Sequence, residues 1–436
     1  MPFSEIDAAG ITRALSQIAD RSEDLADAYF ERLEVIELPA QGLSPGLRVR
    51  RETGLAVRLV RDGGTWLAGR DHVDTETFRD AVRRVARAQP RASYPMPELR
   101  PSPWGEPPEA PEVSAFPSLL QRALRAQGSK LEVRATVRRH RRWVRVLGVR
   151  LASATEFESF YSLDLELPWG RWGTLITQLD DDAAKTAAAG VLRAARSQGV
   201  EPPAPEPTTC VLGPGATAVL LHEAVAHALE TDVLARGSHP EAAIGVSLGS
   251  SCLNVFDDPA GAPKPVRRRS DDEGFPTVRR CLLRGGVVEQ PLSDALWARR
   301  SDLLVPGAGR RGDRHDAPAP RSSHLELVPA RSSANLFEGA DGGLYFPEVE
   351  RGRLDPLTGV FTIRFPYGHR IQDQAPGAPV GPCSLRAHLT DLLGSATAVG
   401  SETRSAGAGW CAKDGIVMPV WATAPDLRLE GVKVRP

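Results

Sequence analysis

The sequence predicts an α+β protein. An N-terminal domain of helices and an antiparallel sheet is followed by a mostly β domain packed around one central helix. Three observations predict this. Helical and strand-like periods mix through the first 200 residues without the regular strand–helix alternation of a parallel sheet. The stretch Glu201-Pro-Pro-Ala-Pro-Glu-Pro207 is a natural boundary, because proline continues neither a helix nor a central strand. Beyond it one strongly apolar helical run precedes a long series of strand and turn signals. We therefore place one domain at 1–200 and a second at 208–436.

The elements come in this order. Residues 4–20 carry Ile6, Ile11, Leu15 and Ile18 on one helical side, with Ser4 as cap. Residues 29–36, 47–51 and 55–60 read as strands. Residues 75–88 read as a helix with Phe78, Val82 and Val85 inward. Eight prolines within 90–112 mark an extended connector. A short helix at 118–126, several strands over 131–177 and an Ala-rich helix at 181–197 complete the first domain, with Asp180–Asp182 at the last helix's N-terminus. After a strand at 210–212 and the apolar helix, strand signals fall at 250–256, 277–283, 325–328, 359–365, 416–420 and 427–434. One helical pattern occupies 384–393. The glycine-rich, charged segment 307–315 reads as a mobile surface loop.

Composition narrows the function. The 436 residues carry a formal net charge of −1, so no global field draws the chain to nucleic acid or an anionic membrane. The arginine clusters at 138–145 and 267–269 could touch phosphates, but the overall charge is near zero and alternation in the first suggests a solvated strand face. No run approaches the eighteen apolar residues of a membrane span, and the N-terminus lacks a basic start and apolar core. Five cysteines without C-x-x-C spacing argue for free thiols in a reducing cytoplasm.

The densest chemical signal is His222-Glu-Ala-Val-Ala-His227. Imidazoles are the usual protein ligands of Zn²⁺, and a neighbouring carboxylate can take a proton from metal-bound water. The common zinc-protease helix reads H-E-x-x-H; here the histidines lie one residue farther apart. On a regular helix that spacing turns the rings about 140° apart. A π-bulge restores a common side, so a distorted turn is expected between Leu221 and Ala228. A catalytic zinc usually has three protein ligands. Cys411 is a candidate third, flanked by glycines and near Lys413, which can favour a thiolate. Glu230, Asp232, His324 and His369 are the others. Separately, Gly245-Val-Ser247-Leu-Gly249 fits the serine-hydrolase elbow, but residues 250–256 read as a strand where that motif needs a helix.

These residues resemble the TldD/PmbA metallopeptidases, once described as modulators of DNA gyrase. The family pattern H-E-A-x-G-H-x-x-E-x-D is matched by His222 to Asp232, D-D-E-G by Asp271 to Gly274, S-G-R-x-D-P-x-T-G in part by Arg351 to Gly359, and G-x-C-x-K-x-G by Gly409 to Gly415. The resemblance implies that His222, His227 and Cys411 bind Zn²⁺, making the central helix zinc-binding, and that Glu223 is the general base. It also implies a catalytic, TldD-type member that hydrolyses unfolded peptides or peptide precursors lying extended along strand edges. The family typically works as a heterodimer with a noncatalytic PmbA/TldE-like homologue. Glu230 is placed to orient His227 as a hydrogen-bond acceptor. Two positions depart from the family: Ala226 stands for a glycine and Ile416 for a common glutamine. The alternative reading is a non-catalytic, partner-binding regulator of the gyrase-modulator type.

Overall fold

The structure is a computed structural model. It describes residues 3, 6–40, 46–86, 96–100, 103–106, 109–151, 153–236, 243–331 and 335–436, with backbone alone for Ala406 and Ala408.

In the first half, β1 (Leu25–Leu38), β2 (Arg48–Arg61), β3 (Gly64–Arg70), β4 (Arg134–Val149), β5 (Ala154–Leu167) and β6 (Gly170–Ile176) form one antiparallel sheet in the order β3-β2-β1-β4-β5-β6. Adjacent residues of a strand point to opposite faces, and β1 uses both. Ala26, Ala28 and Phe30 pack with Leu55, Val57 and Leu59 against helices α1 (Ala8–Ile18) and α2 (Thr75–Val85). Asp27, Tyr29 and Glu31 are buried on the other face, against the second half of the chain.

The helices differ from expectation at their ends. The Ser4 cap lies outside the described residues; the Asp7 carboxylate caps α1 by accepting from the Gly10 N–H. Helix α3 runs from Pro111 to Ala126, seven residues earlier than expected. Pro111 sits in its first turn, where the missing N–H costs nothing, so the final proline of the supposed connector opens a helix. Most of the other connector prolines lie outside the described residues. Helix α4 (Asp181–Arg196) is capped by Asp180, whose side chain accepts from the Ala183 N–H.

In the second half, one sheet contains the strands Val255–Asp257, Arg280–Arg284, Val287–Val288, His324–Leu327, Arg404–Lys413 and Ile416–Ala424. A larger one contains Pro207–Leu212, Leu344–Phe346, Arg351–Leu354, Val360–Phe365, Gly368–Gln372, Ala375–Val380, Cys383–His388, Ala396–Val399 and Leu427–Arg435. Arg351–Leu354 lies at an edge of the larger sheet. Between the sheets runs α5 (Pro214–Leu220) with the turns that extend it. Leu220, Leu221, Val225 and Leu229 share one apolar cluster with Leu282, Leu325, Phe361 and Leu429. The second half is thus mostly β around a central helical element.

Several expectations are corrected here. Residues 384–393 are not one helix: Cys383–His388 is a strand and only Leu389–Gly394 is helical. Its alternation sets Cys383 and Leu385 inward. The segment 307–315 is not a mobile surface loop: Arg310 and Arg311 are 2% and 0% exposed. Arg311 pairs with Asp27 at 2.8 Å. The charges are the reason for its burial, because the N-terminal sheet turns carboxylates inward and 307–315 supplies their counterions. Likewise Arg268, from the 267–269 cluster, is 1% exposed and bonded to Glu158 at 2.9 Å and Asp272 at 2.6 Å. Arg142, from the other, bonds Glu31 at 2.7 Å. Among the described residues no helix is long and apolar enough to cross a membrane.

Candidate metal centre

Strand Pro207–Leu212 ends at Gly213, where a Cβ would come 2.8 Å from the Tyr345 hydroxyl. The chain turns there into α5, with Pro214 in the first turn. The helix does not stay regular. Residues Leu221–Ala226 form a π-turn, and the His227 N–H donates to the His222 carbonyl five residues back. A tight 3₁₀ turn over His227–Leu229 comes next. The wider turn absorbs the extra residue of H-E-x-x-x-H, so the two imidazoles share a side with centroids 4.4 Å apart.

The third candidate comes from far along the chain. Cys411 lies on strand Arg404–Lys413 opposite Met418, and its Sγ is 3.5 Å from His227 Nε2. One ligand atom from each of His222, His227 and Cys411 falls within 4.8 Å of the other two. His222 Nε2 is buried without a hydrogen-bond partner. A buried polar nitrogen costs free energy unless it is satisfied, and a cation at the shared point would satisfy it. Two imidazoles and a thiolate are also a donor set that suits zinc. On both counts the residues fit the ion.

The other ring nitrogens are occupied. His222 Nδ1 lies 3.3 Å from Ser322 Oγ, and His227 Nδ1 lies 2.9 Å from Glu230 Oε2. Such partners fix which nitrogen is left for a metal. Burial, then the neighbouring His227, pushes His222 well below the ordinary histidine range, which keeps its ring neutral. Burial acts the same way on His227, but the Glu230 carboxylate and Cys411 outweigh it and hold that ring well above the range. Glu230 is fully buried and still held low, because His227, Arg321 and Lys413 together overcome its burial. Lys413 donates to Glu230 and, at 3.0 Å, to Asp232. Lys413 is therefore spent on these carboxylates, and its link to the centre runs through Glu230.

The remaining candidates lie elsewhere. His324 bonds Thr423 Oγ1 and the Asp258 carbonyl, and His369 the Gly377 carbonyl. Ser247 Oγ donates to the Gly249 carbonyl in a loop; the next strand starts at Val255, so the elbow geometry is absent. Asp271 to Gly274 is a buried turn: Asp271 accepts the Glu273 and Phe275 N–H groups, and Glu273 pairs with Arg58.

Glu223 and His227 line a cleft of about 990 Å³, open to solvent beside the edge strand Arg351–Leu354. Burial pushes the Glu223 carboxyl up from the usual range, against the His227 ring and the Leu354 N–H, which favour the charged form. Gly352 packs against this glutamate. Gly352 falls within the stretch Arg351 to Gly359 that resembles the family; no sequence pattern singles out Arg321 or Ser322, and only their tertiary neighbours do.

Residues 205–436 match the model of the PmbA/TldA metallopeptidase C-terminal domain. The chain belongs to the PmbA/TldD metallopeptidase family. A Buchnera aphidicola metalloprotease TldD homologue is 28% identical over 227 residues, 51% of this chain and 47% of that one. A Methanothermobacter thermautotrophicus metalloprotease is 30% identical over 244 residues, 56% and 53% of the two chains. A zinc metalloprotease TldD homologue of Saccharolobus solfataricus is 23% identical over 226 residues, 51% and 50%. The chain thus spans about half the length of the curated relatives it matches. In fold it is similar over nearly its whole length to TldE from Thermococcus kodakarensis, with a TM-score of 0.71, 18% identity and coverage of 97% and 99%. A Thermotoga maritima structure described as a candidate modulator of a DNA gyrase gives 0.71, 16%, and 96% and 98%. For this PmbA/TldD chain, α+β architecture and family stand together.

Proposed function

We propose that this chain is a zinc-dependent peptidase of the TldD type, acting on unfolded peptides or peptide precursors. The observation that carries the proposal is the convergence of His222, His227 and Cys411 on one point, with a buried nitrogen left unpartnered there. Zinc bound by these three would supply a polarised substrate carbonyl and a water acidic enough to attack it. Glu223 is the general base: it accepts a proton from the attacking water and returns it to the leaving amine. Its burial suits that exchange, since a raised carboxyl pKa lies closer to working pH. Glu230 and Ser322 hold the imidazoles in the orientation that turns both Nε2 atoms inward. The open cleft admits an extended chain.

We place this chemistry in a domain at 208–436, with 1–200 as a supporting domain. We also propose a PmbA/TldE-like homologue as partner and a cytoplasmic setting. The fold shared with a TldE and a gyrase-modulator candidate also supports a second reading, a regulator that binds a partner without cutting. Peptide hydrolysis by the purified protein, with and without a TldE-like partner, separates the two. The peptidase reading expects cleavage that a chelator abolishes and added Zn²⁺ restores. Partner binding that is indifferent to chelator, with no cleavage in either state, would replace it with the regulatory reading.

A further inference from the structure

The cleft beside Glu223 carries an uneven charge. Arg351 and Arg353 are two apart on the edge strand, so they share a face. Their antiparallel partners on Val360–Phe365 are Arg364 and Thr362, which lie on that same face. All four line the cleft, and Glu223 is the sole carboxylate side chain lining it among the described residues. Arg364 is held by Glu350 at 2.9 Å. Arg351 and Arg353 are exposed, and among the described residues neither joins an ion pair. Glu350, next to Arg351, is thus taken by Arg364, and Asp355, two residues past Arg353, is engaged by the Leu357 N–H at 2.9 Å and feels Arg353 only as a minor charge.

The backbone fixes the register of these charges. As an edge strand, Arg351–Leu354 has one side that no strand of the sheet covers, and an extended peptide can pair with such a side. A paired peptide would also alternate its side chains, every second one facing the arginine side. We infer that the cleft selects extended peptides carrying carboxylate side chains at alternate positions, i and i+2, where they meet Arg351 and Arg353. The inference rests on the peptidase reading for its view of the cleft as a substrate site. It adds a charge preference and a spacing to that reading.

The test is peptide binding by the full chain carrying Glu223→Gln, which prevents turnover, measured by fluorescence anisotropy at low ionic strength. The probes are labelled ten-residue peptides: alternating Thr and Glu, the same with Gln for Glu, and one of equal composition with its glutamates in a single block. The alternating Glu peptide is expected to bind about 10-fold tighter than the Gln peptide, the effect of two exposed ion pairs acting together, and at least about 3-fold tighter than the blocked one. Physiological salt should shrink both ratios. Adding Arg351→Gln and Arg353→Gln should bring all three peptides within about 2-fold of one another without lowering the thermal midpoint, because both side chains are exposed. Equal binding of the Glu and Gln peptides, or a preference that survives the double substitution, overturns the inference. So does displacement of the acidic peptide by a short oligonucleotide at lower concentration than by unlabelled peptide, which would make the cleft a phosphate site. If the preference holds but the wild-type protein never cleaves the preferred peptide, the peptidase reading fails while the charge preference stands.

Discussion

Gly352 stands so close to Glu223 that a Cβ on it would lie 2.8 Å from the glutamate Cγ. The same Cβ would also meet a Val219 methyl carbon, one helical turn earlier, at 2.9 Å. The glycine is therefore part of how the proposed base is placed. Gly352→Ala should push Glu223 out of line and lower kcat/KM by about 10- to 100-fold, the scale of a misplacement near 1 Å. Zinc content should not change, since no proposed ligand moves. Steady-state kinetics alongside metal analysis checks this; unchanged kcat/KM would show that Glu223 need not sit where it does.

Glu223→Gln keeps the shape of the side chain and removes its basicity. Loss of a general base costs about 10²- to 10⁴-fold in rate. The variant should keep one zinc per chain. A variant that cuts peptides at the wild-type rate with its zinc in place would remove Glu223 from the chemistry.

Glu230 reaches the proposed metal only through His227, so its effect should appear in affinity. Glu230→Gln keeps an acceptor for Nδ1–H but leaves Lys413 and Arg321 short of a counter-charge. Zinc affinity, measured by competition with a chelator, is expected to fall by about 10- to 100-fold. Affinity equal to wild type would reduce Glu230 to a structural carboxylate.

The buried ion pair between Arg311 and Asp27 joins the two halves of the chain, both side chains being 0% exposed. Arg311→Met leaves a buried carboxylate short of a partner and should cost about 3–5 kcal/mol in denaturant unfolding. Asp27 also accepts from Arg58 Nε at 2.6 Å, so the double variant Arg311→Met, Asp27→Leu, which leaves that guanidinium with Glu273 alone, should recover only part of the loss. If the double variant is no more stable than Arg311→Met, the charges matter through other partners.

Asp257 gives the fold a pH dependence of definite sign. Burial pushes its carboxyl up to about 6, although the Ser323 and His324 N–H groups both donate to Oδ1 and favour the charged form. Its unfolded value is about 4. Between these values the folded state holds a proton that the unfolded state has lost. Its contribution to stability is therefore full below about pH 4 and is lost as pH rises through 6. Asp257→Asn keeps an oxygen for both N–H groups and removes the titration. The stability of Asp257→Asn relative to wild type should rise by about 2–3 kcal/mol between pH 4 and pH 7.5. A flat difference across that range would contradict the raised value.

Much of the fold and the site was legible in the sequence, for reasons that can be named. The π-turn at Leu221–Ala226 came from counting residues between two histidines, because a metal-binding pair has to share a side. The Asp180 cap came from local hydrogen bonding. Longer-range features were harder to read. Arg310 and Arg311 looked like surface charge because nothing local reveals that Asp27, Glu158 and Asp272 would meet them inside. Residues 384–393 looked helical because Leu385, Leu389, Leu392 and Leu393 also fit a helical stripe; strand pairing of Cys383–His388 with Val360–Phe365 overrides it. Ser322 reaches His222 across 100 positions of sequence, a distance at which no periodicity speaks.

The most direct test of the proposed metal centre is the absorption spectrum of the protein with cobalt(II) put in place of zinc. The expected result is one metal per chain and a thiolate-to-cobalt charge-transfer band that disappears in Cys411→Ser, with metal binding weakened in His222→Ala and His227→Ala. A spectrum with no thiolate band, or a metal bound at full stoichiometry after all three residues are replaced, would contradict the assignment.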